Sequence, residues 1–147
     1  MPKPPSILPD LSFESLEKGY VAGVDEVGRG PFAGPVVAAA VILNPLNIPP
    51  GIQDSKKLPK TKREELFALI LASSQVGIGE TSVAEIDELN ILQASLLAMR
   101  RAVAALPCSA DVALVDGNRD PGLGISTRLI VKGDSRSLSI AAASIVA

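Results

Sequence analysis

The chain has 147 residues, with 14 Lys+Arg against 16 Asp+Glu, one Cys and no His. Without histidine there is no Ser-His-Asp or Cys-His nucleophilic site and no His-ligated zinc, and a lone cysteine forms neither an internal disulfide nor a thiolate cluster. A hydrophobic share of 47% with 20% charged residues marks a globular chain, and at this length roughly two-thirds of the unfolded surface can be buried, so one domain over 1–147 is expected.

The N-terminal stretch is proline-rich, and residues 1–18 read as a loose arm. It lacks the apolar core of a signal peptide, and the longest apolar run, Val36 to Leu43, has eight residues. A membrane helix needs roughly 18, and the lone cysteine makes a cytoplasmic chain the expectation. A first strand, Tyr20 to Glu26, rises into a turn at Gly28-Arg29-Gly30-Pro31. A second, Gly34 to Leu43, follows, and the pair reads as a hairpin with a wide connection. Asn44 to Gly51 and Asp54 to Leu58 read as loops.

Thr61 and Glu64 fit a capping box for a helix carrying Leu66, Leu69 and Ile70 on one face and ending near Ser73-Ser74. Val76 to Thr81 reads as a third strand weakened by its glycines. Ser82 with Glu85 opens a short helix, and Asn90 with Gln93 opens a longer one. Behind Asn90, Leu92, Leu96, Met99, Val103 and Leu106 recur at spacings of 4, 3, 4 and 3, a helical stripe that stops before Pro107. Asp111 to Asp116 is a buried-type strand ending in an acid and a glycine, and Ser126 to Val131 is a further strand. The last helix, capped by Asp134 or Ser135, stops mid-pattern at Ala147, the expectation being a chain cut inside that helix. Strand and helix order points to an α/β or α+β domain with a partly antiparallel sheet.

The chemistry left to such a chain is that of carboxylates, lysines, hydroxyls or metals. Asp25-Glu26 alone reads as a solvated strand end, since strand neighbours normally face opposite ways. Asp116 shifts that reading: it too ends an apolar strand, and two strand-end acids from neighbouring strands converge at one sheet edge. Hard divalent cations take oxygen ligands, and a pair of them supports in-line phosphoryl displacement. Gly28-Arg29-Gly30 combines close backbone approach with a guanidinium fork for phosphate, or is an ordinary turn. Lys132-Gly133-Asp134 reads as a plain turn with a phosphate-side lysine as the alternative. Lys56, Lys57, Lys60, Lys62 and Arg63 read first as a solvated charged face, and second as a nucleic-acid contact. The few aromatics, 3% of the chain, argue against stacking-platform modules for bases. Cys108 and Tyr20 read as structural.

Val24-Asp25-Glu26-Val27-Gly28-Arg29-Gly30-Pro31 resembles the signature of bacterial type 2 ribonuclease H, ribonuclease HII. Gly34 to Ala39, Asp54 to Leu58, Ile91 to Ala94, Val115 to Gly117, Lys132 to Asp134 and Ser139 to Ser144 agree with that family in order. The resemblance covers about Tyr20 to Ala147 and implies an α/β, RNase H-like fold: a mixed five-stranded sheet flanked by helices. It implies an endonuclease that cuts the RNA strand of RNA/DNA hybrids and single ribonucleotides in duplex DNA, leaving 3′-hydroxyl and 5′-phosphate ends. Mg²⁺ or Mn²⁺ would be the cofactor, and the chain would act as a monomer. Asp25, Glu26 and Asp116 match the family's metal-binding acids, and Gly28, Arg29 and Gly30 its ribonucleotide-sensing turn. Lys56 and Lys132 become candidates for substrate contact. The expected fourth acid, and a tyrosine-bearing C-terminal region, would lie beyond Ala147. The alternative reading is therefore a catalytically weak or inactive hybrid-binding fragment.

Overall fold

The computed structural model describes residues 8–27 and 34–147. Five strands form one sheet: β1 (Val21–Val27), β2 (Val36–Ile42), β3 (Gln75–Thr81), β4 (Val112–Asp116) and β5 (Ser126–Ile130). Their spatial order is β3-β2-β1-β4-β5. β1, β2 and β3 run antiparallel in sequence, whereas β4 lies parallel to β1, and β5 parallel to β4. Helices α1 (Lys60–Ser73), α2 (Val83–Leu89), α3 (Ile91–Ala104) and α4 (Leu138–Val146) accompany them. The mixed five-stranded sheet flanked by helices is the architecture expected. Among the described residues, no helix is long and apolar enough to cross a membrane.

The sheet has two covered faces. On one, Val24, Ala38, Ala40, Ala113 and Val115 pack against Ala98, Met99 and Ala102 of α3. On the other, Ala39 and Val41 pack against Ala141, Ala142 and Ile145 of α4, with Leu66 and Ile70 of α1. Both helices lie close because glycine faces them. A Cβ on Gly79 would come within 2.3 Å of the Ala98 carbonyl oxygen, and one on Gly23 within 2.3 Å of the Ser139 carbonyl oxygen. The glycines that weaken β3 as a strand are thus what admits α3 to its surface. The same closeness moves the buried face of α3 off the predicted leucine stripe. Ala94, Ser95, Ala98, Met99 and Ala102 are buried, and Leu92, Leu96 and Val103 form its half-buried flank.

Several local expectations change. α1 begins after Pro59 with no side-chain cap, so Thr61 lies inside the helix and its box with Glu64 is not used. Leu69 points outward at 43% exposure, while Leu66 and Ile70 are fully buried. The Ser82–Glu85 box is complete, and Asn90 accepts from the Gln93 N–H at 3.0 Å. Ser137 caps α4, not Asp134 or Ser135, because those two lie in a separate 3-10 turn, Gly133–Ser135.

The N-terminal stretch is also not loose throughout. Asp10 forms a parallel bridge with Ser137, and its carbonyl accepts from the Leu138 N–H at 2.9 Å. Glu17 pairs with Arg128 of β5 at 3.0 Å, and the Arg136 guanidinium lies 5.1 Å from the centre of the Phe13 ring. The loose-arm expectation for residues 1–7 falls outside the described residues.

Candidate metal centre

Side chains alternate across a strand, so Gly23 and Asp25 share the α4 face of β1, while Val24 and Glu26 turn toward the other. The parallel register pairs Val24 with Val115, and one step further sets Asp25 beside Asp116 at the C-terminal ends of β1 and β4. The chain leaves β5 through Lys132, in the left-handed region at φ 54°, and the turn behind it brings in Asp134. One carboxylate oxygen from each of Asp25, Asp116 and Asp134 lies within 4.8 Å of the others.

The trio is mostly withdrawn from water: Asp25 is 5% exposed and Asp134 8%. Few donors meet it. Asp25 Oδ1 accepts from the Glu26 N–H at 2.8 Å, and Asp116 Oδ1 from the Gly133 N–H at 2.7 Å. Burial, then the charges of Asp116 and Glu26, push Asp25 up to about 10. Burial and the charges of Asp116 and Asp54 raise Asp134 too. Such a group resists holding all its negative charge unless a cation joins it. Lys56 offers a partial one, its ammonium 3.7 Å from Asp134 and 4.0 Å from Asp54, but its side chain is 79% exposed. A cluster of hard oxygen donors, buried and, among the described residues, short of positive charge, fits a divalent cation of the Mg²⁺ or Mn²⁺ kind.

The predicted residues are distributed as follows. Asp25 and Asp116 meet in the cluster. Glu26 is half-buried beside it, and its charge is felt by Asp25. Lys56 reaches the rim, and Lys132 is exposed two residues before Asp134. Gly28, Arg29 and Gly30 lie outside the described residues.

The expectation placed a fourth acid beyond Ala147, whereas the structure gathers an acid already in the chain, Asp134, with Asp25 and Asp116. It was hidden because Lys-Gly-Asp reads as a strand-to-helix turn. The available signal was its likeness to Asp116-Gly117, an acid and a glycine closing an apolar strand. Asp54 went unnoticed as well. It is buried, caps the Ser55–Lys57 turn by accepting from the Lys56 N–H, and adds its charge to that at Asp134. The Ser55 N–H donates to Ser144 Oγ at 3.2 Å, which ties this turn to α4.

A cavity of about 490 Å³ opens at the opposite end of the sheet, among Glu14, Tyr20, Val21, Ile42, Leu43 and Ser139; it is mainly apolar and holds none of the clustered acids.

The family model for ribonuclease HII matches residues 22–147. The chain belongs to the ribonuclease HII family. Ribonuclease HII of Paramagnetospirillum magneticum is 58% identical over 144 residues, covering 95% of this chain and 72% of that protein. Across three such bacterial relatives the chain spans 62% to 72% of their length. Among solved structures, ribonuclease H2 from Pyrococcus horikoshii superposes with a TM-score of 0.75 at 27% identity, over 87% of this chain and 70% of that one. Bst-RNase HIII in complex with Mn²⁺ gives 0.73 at 21% identity, over 86% of this chain and 50% of that one, a likeness of fold. Family and fold together make this a metal-dependent ribonuclease H of type 2.

Proposed function

We propose that this ribonuclease HII chain hydrolyses the RNA strand of RNA/DNA hybrids and cuts duplex DNA at single embedded ribonucleotides. Asp25, Glu26, Asp116 and Asp134 would hold Mg²⁺ or Mn²⁺. One observation carries the reading: three carboxylates from separate elements share a buried sheet edge, with too little positive charge among the described residues to neutralise them. Bound there, divalent cations supply an activated water and a counter-charge for the departing oxygen.

The chain's own residues do the rest. The register of β1 and β4 supports Asp25 and Asp116 acting side by side, with Asp134 added from the turn after β5. The Gly133 N–H holds Asp116 in one orientation. Lys56 stands at the rim and Lys132 is exposed two residues before Asp134, and such ammonium groups suit phosphate oxygens of a duplex. Gly28, Arg29 and Gly30 follow β1 directly, next in the chain after the acids. We read them as the backbone-and-guanidinium contact that senses a 2′-hydroxyl, the group that separates RNA from DNA. The chain would act as a monomer in the cytoplasm, its one cysteine unpaired.

The test is cleavage of a duplex carrying one ribonucleotide beside the same duplex made wholly of DNA, with Mg²⁺ and with Mn²⁺. Cutting of the first alone, to 3′-hydroxyl and 5′-phosphate ends, is expected. Equal cutting of both would overturn the ribonucleotide-specific reading, and cutting of neither would overturn the nuclease reading.

A further inference from the structure

Glu14 lies ahead of the segment matched by the family model, in a 3-10 turn, Glu14–Leu16. It reaches across to the start of α4. Its Oε2 accepts from the Ser137 hydroxyl at 2.8 Å, the Ser139 N–H at 2.8 Å and the Ser139 hydroxyl at 2.6 Å. Both serines are wholly buried. Oε1 is buried too and has no hydrogen-bond partner among the described residues, so Oε2 carries the interaction.

What Glu14 grips is the support of the acid cluster. Ser137 caps α4, and its N–H donates to the Gly133 carbonyl at 2.7 Å, closing the turn that contains Asp134. The Gly133 N–H in turn holds Asp116. Ser139 sits where α4 touches β1, against Gly23, two residues before Asp25. The strap has further fastenings on the same turn: the Asp10 N–H reaches the Arg136 carbonyl at 3.4 Å, and Phe13 lies under the Arg136 guanidinium. A carboxylate at a helix N-terminus is favoured by the exposed N–H groups there. Its removal would leave the Ser139 N–H and one of the two buried hydroxyls short of an acceptor, since the hydroxyls lie 3.2 Å apart and one can donate to the other.

We propose that Glu14 is a positioning residue of the metal centre, holding the Lys132–Ser139 turn so that Asp134 and Asp116 keep the spacing a divalent cation requires. This rests on the metal-site reading above. Groups bonded directly to metal ligands typically contribute ~10–100-fold in metal affinity, and Glu14 acts one contact further out, through Ser137 and Ser139.

The experiment is a Mn²⁺ titration of the full chain, read by the electron-spin resonance of free Mn²⁺. Glu14→Ala should weaken binding at least tenfold, Ser139→Ala should weaken it less, and Glu14→Gln, which keeps an acceptor oxygen, should recover part of the loss. Cleavage by Glu14→Ala should return toward the wild-type rate as Mn²⁺ is raised, because the defect is in occupancy. Thr81→Val serves as the control for general destabilisation: it deletes a buried bond to the Ala94 carbonyl on the far strand β3 and should leave Mn²⁺ affinity unchanged. Glu14→Ala binding within twofold of wild type would overturn the proposal, as would an equal loss in Thr81→Val. Should Glu14→Ala fail to fold by circular dichroism, Ser139→Ala decides by the same twofold limit. Asp116→Asn separates the two readings: if wild type and Asp116→Asn bind Mn²⁺ alike, the metal site itself is wrong and the positioning role falls with it.

Discussion

Two sets of carboxylates flank the start of α4, and the protein treats them oppositely. Glu14 is met at one oxygen by two serine hydroxyls and a backbone N–H, so donors of the protein itself hold it in place. Asp25, Asp116 and Asp134 are met chiefly by one another, and burial together with mutual repulsion raises Asp25 and Asp134. The difference separates an acid that holds the fold from acids that the fold holds in readiness. Both kinds look alike in a sequence. Only their donors tell them apart.

The contrast can be broken most severely at the cluster. Asp116→Asn should lower cleavage by more than the ~10–100-fold typical of changes one shell further out, while circular dichroism shows an intact fold. Activity within tenfold of wild type would mean that the trio is another structural arrangement like the one at Glu14. A smaller effect is expected where the two sets share a support. Gly23→Ala places a Cβ against the Ser139 backbone, which should push α4 from β1 and cost about 1–3 kcal/mol of stability in chemical denaturation. That change should also weaken Mn²⁺ binding, since Ser139 answers to Glu14 and β1 carries Asp25. Unchanged stability would show that the helix can shift without consequence for either set.

Much of this was legible in the residues. The strands, the order of the elements and the pair Asp25 and Asp116 follow from apolar runs that end in acids. The Ser82–Glu85 cap follows from a local rule that the structure obeys in full. What escaped depends on distant partners. The buried face of α3 could not be placed because Gly77 and Gly79 sit on another element and set how near the helix comes. The box at Thr61 was overridden by Pro59, which starts the helix earlier. Asp134 was read as a turn residue because nothing within its own segment shows that β4 brings Asp116 to meet it. The strap at Asp10 to Glu17 is invisible for the same reason: its partners lie more than a hundred residues away.

The claim that the trio stands short of a cation is tested most directly by thermal melting of the metal-free chain against pH, with Asp25→Asn beside it. Asp25 has its folded pKa raised from 3.8 to about 10, so between those values the folded state holds more protons than the unfolded one. Its contribution is therefore present at low pH and lost as pH rises. Wild type should melt lower at pH 8 than at pH 5.5 and recover at pH 8 when Mn²⁺ is added. Asp25→Asn should melt higher than wild type at pH 8 without metal and gain less from Mn²⁺. An Asp25→Asn chain that melts below metal-free wild type at pH 8 would contradict the account, because the carboxylate would then be stabilised by the protein alone.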